Sequence, residues 1–344
     1  MKRKLVFGLA ILALIPVIGC QRLERLPQVI ANRTGLSQPD AAPASRPNTQ
    51  STMNSQGSGG AVGQLQTMSV NVGGQDRTYY VYAPSAARSG QPLPMVMAFH
   101  GGGGGAAQFA SRMGLVNMAE TYGLVIVLPQ GAGRPGARNA QNGSWNADSI
   151  TPSGYAENNG VNDLGFVEAL MDVVPSRYAI DRSRIYAMGF SKGGMMAYRA
   201  ACVKGSRITA IAAVSATLSS ADCPNPQGVS LLHIHGTDDE NVPLNGGVGQ
   251  FTAGRADWPP VNRGLQYFTS GNQCAGQTQT RISNDTTCSV NDCAGNEEVQ
   301  LCLVQGGGHA WPGAQPANWQ VKHNVFVTQS FSATDYIARF FQSQ

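Results

Sequence analysis

Hydrophobic and polar positions change period several times along the chain, and each change predicts an element. Gln66 to Val72 and Arg77 to Tyr82 alternate with a period of two across Gly73-Gly74, which predicts a β-hairpin. Met95-Val96-Met97-Ala98-Phe99 is apolar throughout, as a strand buried on both faces must be. A helix is expected over about 106–121, a strand over 124–128, then a long Gly- and Asn-rich loop and an amphipathic helix over 162–174. The short apolar run 184–189 follows an Asp181-Arg182-Ser183 turn, and Met195, Met196, Arg199, Ala200 and Val203 continue at helical spacing. Strands are expected over 208–214 and 229–234, then an irregular Cys-bearing segment, a strand over 298–304 and a final helix over 333–341. Strands alternating with helices after an opening hairpin predict an α/β domain, with a mostly parallel central sheet and helices on both faces.

The first 65 residues read differently. Met1-Lys2-Arg3-Lys4 followed by apolar 5–18 is a positive region joined to a stretch too short to span a membrane comfortably, so residues 1–20 read as an export signal. Val17-Ile18-Gly19-Cys20 resembles the bacterial lipoprotein signal, which makes Cys20 a candidate lipid anchor, with ordinary secretion as the alternative. Residues 21–65, rich in Gln, Asn, Ser, Pro and Gly, read as a disordered linker. The folded domain is therefore expected over 66–344, outside the cell or at its envelope.

Composition narrows the function classes. Charged residues are 13% of the chain and the net charge of +4 forms no basic block, which argues against nucleic acid as a partner. Setting Cys20 aside leaves Cys202, Cys223, Cys274, Cys288, Cys293 and Cys302, an even set that reads as disulfides in an exported chain. Such a set allows 15 connectivities, among which we favour Cys202 with Cys223, Cys274 with Cys302, and Cys288 with Cys293. No Cys-x-x-Cys pair suggests zinc, and no metal or other cofactor is expected.

The chemistry centres on Tyr186-Ala187-Met188-Gly189-Phe190-Ser191-Lys192-Gly193-Gly194-Met195-Met196. Here a strand runs through Gly-x-Ser-x-Gly into a helix, the order that a nucleophile elbow requires. The pentad alone is a weak signal in a Gly-rich chain, so its setting has to decide. A serine nucleophile needs a base to take its proton and an acid to orient the base. Asp238-Asp239 follows the strand 229–234 in His235-Gly236-Thr237-Asp238-Asp239-Glu240-Asn241-Val242-Pro243, and His309 lies in Gly306-Gly307-Gly308-His309-Ala310-Trp311-Pro312-Gly313. Both lie downstream in the order Ser, Asp, His, on loops at strand ends.

With these motifs stand His100-Gly101-Gly102, Ser144-Trp145-Asn146 and Asp163-Leu164-Gly165-Phe166. Together they resemble the α/β-hydrolase esterases grouped as polyhydroxybutyrate depolymerase-like and feruloyl-esterase-like (carbohydrate esterase family 1-like) proteins, from about Met68 onward. The resemblance implies the α/β-hydrolase fold, Ser191 as nucleophile, His309 as base and Asp239, the second of the pair, as acid. The backbone N–H groups of Lys192 and of Gly101 or Gly102 are expected to form an oxyanion hole.

Several residues have plainer readings. Lys192 places a cation in the first turn of a helix, against the macrodipole, so either a carboxylate partners it or the site uses its charge. Asp163 reads as the cap of the following helix, and His100 as a residue that orients its glycine loop. His233 and His235 alternate on a strand end without a third ligand and read as packing residues. Trp145 and Trp311 are the candidate substrate-binding residues. His323 has no recognisable partner.

These observations predict an exported serine esterase acting without cofactor on a small or oligomeric ester: short-chain acyl, hydroxyalkanoate oligomer or feruloyl-type. Solid-polymer enzymes of this resemblance add a surface-binding module, and the only linker-like stretch here precedes the hydrolase, so soluble esters are expected. The alternatives are a serine peptidase on the same fold and a catalytically dead envelope-binding protein.

Overall fold

The all-apolar run that includes 95–99 becomes the middle of a sheet because both of its faces can be covered. In the computed structural model, which describes residues 60–136, 142–252 and 255–344, Met95, Met97 and Phe99 pack on one side and Val96 and Ala98 on the other. The described residues fall within one unit, Thr49–Gln344. The second unit, Met1–Asn48, with the expected export signal, Cys20 and most of the expected linker, lies outside the described residues. Among the described residues no helix is long and apolar enough to cross a membrane.

The hairpin β1 (Leu65–Val72) and β2 (Gln75–Tyr82) opens the domain, followed by β3 (Leu93–Phe99), α1 (Ala106–Arg112), α2 (Leu115–Tyr122) and β4 (Val125–Pro129). A short α3 (Tyr155–Asn158) and then α4 (Asp163–Val173) lead into β5 (Ile180–Phe190), α5 (Lys192–Lys204), β6 (Ala210–Val214) and β7 (Ser230–Gly236). A small two-stranded ribbon, β8 (Gly247–Val248) with β9 (Asp257–Trp258), precedes α6 (Val261–Gly271). The chain then forms β10 (Thr278–Arg281), β11 (Thr286–Asp292), β12 (Glu298–Val304), α7 (Asn318–Lys322) and α8 (Ala333–Gln342).

The strand order is β1-β2-β4-β3-β5-β6-β7-β12-β11-β10. The six strands from β4 to β12 in that order are mutually parallel, and antiparallel strands flank them on both sides. Phe166, Leu170, Met195 and Phe268 cover one face from α4, α5 and α6. Phe109, Leu115, Met118 and Phe341 cover the other from α1, α2 and α8. The expected α/β architecture is thus present, with parallel strands that end together at β3, β5, β7 and β12, where the chemistry-bearing loops leave.

Three expectations differ from the structure. The single helix over 106–121 is two, because Gly114 adopts φ 66° and starts a new helix. The Cys-bearing segment is not irregular: β10 and β11 extend the sheet, and α6 precedes them. The favoured disulfides hold for Cys202–Cys223 only, since the other two bonds are Cys274–Cys293 and Cys288–Cys302. Register explains the change. Cys288 on β11 faces Cys302 on β12, which leaves Cys302 out of reach of Cys274. Ala275 N–H donates to Asp292 O at 2.7 Å and Ala294 N–H to Asn272 O at 3.2 Å, and these bonds bring Cys274 beside Cys293.

Candidate active site

At the end of β5 the chain turns sharply into α5, with Ser191 at φ 54° and ψ −122°. A non-glycine residue held there costs on the order of 1–3 kcal/mol, so the surroundings must impose it. Two glycines make the turn passable. A Cβ on Gly189 would overlap the backbone of Gly193, and one on Gly193 would overlap Phe99 O. Ser191 N–H donates to Val214 O at 2.9 Å, which ties the turn to β6.

Ser191 Oγ lies 2.9 Å from His309 Nε2. His309 Nδ1 lies 2.9 Å from Asp239 Oδ2 and 3.1 Å from Oδ1. With Nδ1–H donating to the carboxylate, Nε2 is left to accept the serine proton. Burial alone would raise Asp239's pKa, but its electrostatic interaction and hydrogen bond with the His309 imidazole, with His235 and the Val242 N–H, together hold it below the usual range. Asn241 and Val242 N–H both donate to Asp239 Oδ1 at 2.9 Å. Asp238, by contrast, is exposed and accepts from Thr237 Oγ1 at 2.9 Å. The base is braced as well: Gln320 Nε2 donates to His309 O at 2.7 Å, and Ser215 Oγ to Ala310 O at 2.9 Å.

The glycine loop after β3 lies over the elbow. A Cβ on Gly101 would stand 3.6 Å from Ser191 Cβ, and one on Gly102 would stand 3.5 Å from Lys192 Cβ. Gly103, at φ 73°, donates its N–H to Gly143 O at 2.8 Å, and Gly143 N–H returns a bond to Gly104 O at 2.9 Å. His100 fixes the same loop: Nδ1–H donates to Gly101 O at 2.8 Å, and Nε2 accepts from Gly131 N–H at 2.9 Å. Burial lowers its pKa to about 4, against a smaller upward pull from the Gly101 carbonyl, so His100 is neutral.

Both candidate substrate-binding tryptophans require correction. Trp145 is fully buried, stacks edge-on against Phe99 at 5.2 Å and donates Nε1–H to His100 O at 2.7 Å. Trp311 is 2% exposed, donates to Thr334 Oγ1 at 3.0 Å and packs edge-on against Phe109. Neither lines the cleft beside Ser191. That cleft, about 650 Å³, instead carries Trp258, Trp319, Tyr155, Phe251 and Phe190. His323, expected to be without a partner, also lines it and packs on Phe251 at 4.7 Å.

Asp163 is likewise not the cap. Asn162 caps α4 by accepting from Gly165 N–H at 2.9 Å, while Asp163 accepts from Arg77 Nη2 at 2.6 Å and from Asn146 N–H at 2.7 Å. It therefore joins β2, α4 and the backbone at Asn146. Lys192 does have a carboxylate partner: Nζ lies 2.6 Å from Glu157 Oε2, and it donates to Ser149 Oγ at 3.0 Å and Ser153 Oγ at 3.3 Å. Burial lowers its pKa, and Glu157 opposes that shift.

His233 and His235 form a directed chain. Val242 O can only accept, so His235 Nε2–H donates to it at 2.9 Å. His235 Nδ1 then accepts from His233 Nε2–H at 3.0 Å, and His233 Nδ1 accepts from Tyr198 O–H at 2.7 Å. Burial lowers both histidine pKa values and keeps them neutral. His235 Nε2 also stands 3.5 Å from Asp239 Oδ2. No group of three or more metal-ligating side chains occurs among the described residues.

Sequence reasoning did not reach Trp258, Trp319, Phe251 or Glu157. The first three lie outside any motif. Glu157 lies on the short α3, and the only pointer to it in the sequence was the expectation that a carboxylate partners Lys192.

Comparisons with known proteins agree with this architecture. A family model described as Phospholipase/Carboxylesterase matches residues 86–253. Feruloyl esterase B of Piromyces equi is 25% identical over 240 residues, covering 68% of this chain and 42% of that protein. Feruloyl esterase C of Emericella nidulans is 35% identical over 96 residues, covering 28% of this chain and 35% of that protein. The chain thus spans less than half the length of either relative. Among solved structures, the acetyl xylan esterase from Aspergillus awamori superposes with a TM-score of 0.52 at 16% identity, covering 76% of this chain and 98% of that one. The fold is that of the α/β-hydrolases, and the chain is similar to carboxylic ester hydrolases of that type.

Proposed function

We propose that this chain, an α/β-hydrolase with carboxylic ester hydrolases among its relatives, is an exported serine esterase that cleaves carboxylic esters through an acyl-enzyme. The observation that carries this is the pair of 2.9 Å contacts, Ser191 Oγ to His309 Nε2 and His309 Nδ1 to Asp239 Oδ2. Ser191 Oγ attacks the ester carbonyl carbon as its proton passes to His309 Nε2, and the carbonyl π electrons move onto oxygen. Backbone N–H groups of Lys192 and of Gly101 or Gly102 stabilise that oxyanion. Collapse breaks the bond to the leaving alkoxy oxygen, which takes the proton from His309 and departs as alcohol. Water then repeats the sequence on the acyl-serine, releasing the acid and restoring Ser191. Asp239 stays ionised throughout and keeps the imidazolium oriented.

The aromatic wall of the cleft suits short acyl, hydroxyalkanoate-oligomer or feruloyl-type groups. Three disulfides fit an oxidising compartment, in keeping with the export signal read from residues 1–20. The test is a paired panel on the purified protein: p-nitrophenyl acetate and butyrate against the matching anilides. Ester turnover with little amide turnover is expected. Comparable amide cleavage would make the protein a peptidase, and no turnover of either would make it a binding protein.

A further inference from the structure

Tyr198, His233 and His235 are polar side chains buried in the core, where apolar groups would pack at lower cost, and the acyl-transfer steps use none of them. Their hydrogen bonds run in one direction and join two parts of the site. Tyr198 lies on α5, the helix that starts directly after Ser191, and its O–H donates to His233 Nδ1 at 2.7 Å. His233 and His235 lie on β7, and His233 Nε2–H donates to His235 Nδ1 at 3.0 Å. The chain ends where His235 Nε2–H donates to Val242 O at 2.9 Å, with Asp239 Oδ2 3.5 Å from the same nitrogen. Val242 is also a residue whose N–H donates to Asp239 Oδ1, at 2.9 Å. His235 thus holds the turn that holds the acid, and stands beside the carboxylate oxygen nearer to His309 Nδ1.

We propose that His235 is a positioning residue for Asp239, and that His233 and Tyr198 keep it in the tautomer this requires. The proposal rests on the esterase reading above. Only the Nε2–H form of each imidazole meets every partner in the chain. The other tautomer of His235 would set a nitrogen lone pair against Val242 O and Asp239 Oδ2, and loosen the turn on which the carboxylate is aimed. Tyr198 O–H closes the far end, because it takes the His233 nitrogen that would otherwise be free to carry the proton. The helix that leads away from the nucleophile and the turn that carries the acid are in this way held in one register.

The test is a double-mutant cycle with the purified full chain on p-nitrophenyl butyrate, using His235→Phe, Asp239→Asn and the two together. His235→Phe is expected to lower kcat by about 10- to 100-fold with KM within about twofold of wild type. His235→Gln, whose Nε2 can donate to Val242 O, should return to within a few-fold of wild type. In the Asp239→Asn background, His235→Phe should cost less than about twofold, since the group it positions is already lost. Equal losses in both backgrounds, or a His235→Gln variant as slow as His235→Phe, overturn the proposal and leave the esterase reading standing. If His235→Phe does not fold, the same cycle is run with Tyr198→Phe, which removes one hydroxyl from the far end of the chain. A kcat loss of about threefold or more that vanishes in the Asp239→Asn background is expected there, and no loss or equal losses overturn the proposal. Independently of turnover, the imidazole ¹⁵N signals of wild type at pH 7 should show His233 and His235 as neutral Nε2–H tautomers, and an Nδ1–H form of either overturns it. If wild type cleaves no ester, the esterase reading falls and this one with it.

Discussion

Lys192 Nζ and Glu157 Oε2 stand 2.6 Å apart with both side chains almost fully buried, which ties the residue after the nucleophile to α3. Glu157 also accepts from Ser149 N–H at 3.1 Å and Ser153 N–H at 2.6 Å, so one carboxylate ties the 149–153 segment to α3 and neutralises the lysine. Glu157→Gln strands a buried ammonium and is expected to lower unfolding free energy by about 3–5 kcal/mol. The double variant Lys192→Met/Glu157→Gln should recover most of that loss, because the ammonium is gone and the glutamine carbonyl oxygen still accepts a backbone N–H of the segment. Urea unfolding of the three proteins reads the difference, and a single variant as stable as wild type would show that the pair is solvated.

Stability should fall on mild acidification, in a window set by buried histidines. His100 is lowered to about 4 by burial, and His233 and His235 are lowered in the same direction. Between pH 6.5 and 4 the unfolded chain binds a proton at His100 that the folded chain refuses, so stability rises with pH there and is lost as pH falls. For His100 alone the loss is about 2 kcal/mol at pH 5 and about 3 kcal/mol at pH 4, relative to pH 8. The upper part of this window lies above the carboxylate range, which separates it from ordinary acid unfolding. Urea titrations at pH 7 and pH 5 should differ for wild type and less for His100→Gln, and equal midpoints for wild type would contradict the buried neutral imidazoles.

The Cys288–Cys302 bond joins β11 to β12, and the base loop begins directly after β12. Closing a loop of this size stabilises by roughly 3 kcal/mol in the chain-entropy description. Cys288→Ala/Cys302→Ala should therefore melt earlier and also lose activity before it unfolds, because the strand that leads into the His309 loop is less restrained. Loss of activity that tracks global unfolding alone would remove the second half of this expectation.

How much of this was legible in the chain depends on what fixes each residue. The central strands could be read from apolar runs, and the serine, aspartate and histidine loops from motifs at strand ends, because backbone geometry at those points admits few residue types. Asp239 and Asp238 differ only in which way a tight turn points them, and the motif resemblance, rather than periodicity, chose between them. β10 and β11 escaped because Thr, Ser and Asn dominate them and β10 is exposed on both faces, leaving no alternation to detect. α6 carried a usable signal in Val261, Leu265 and Phe268, spaced for one helical face. Trp145 and Trp311 were misplaced because an indole in a loop carries no period. Whether it faces core or cleft is decided by long-range packing against Phe99 and Phe109.

Within the aspartate pair the expected outcome is unequal. Asp239→Asn should lower kcat about 10⁴-fold, the loss that a misassigned imidazole tautomer causes in serine proteases, with KM little changed. Asp238→Asn, at an exposed carboxylate bonded to Thr237, should stay within a few-fold of wild type. Steady-state kinetics on p-nitrophenyl butyrate separates them, and the reverse order would move the acid to Asp238.

The central claim is that Ser191 is the nucleophile, and the most direct measurement is intact-protein mass after exposure to a fluorophosphonate, read together with p-nitrophenyl acetate hydrolysis. We expect a single phosphonyl adduct on Ser191, complete loss of turnover in step with labelling, and no adduct on Ser191→Ala, whose kcat should be lower by about 10⁶-fold. Labelling of Ser191→Ala at another serine, or ester turnover by that variant close to wild type, would contradict the account.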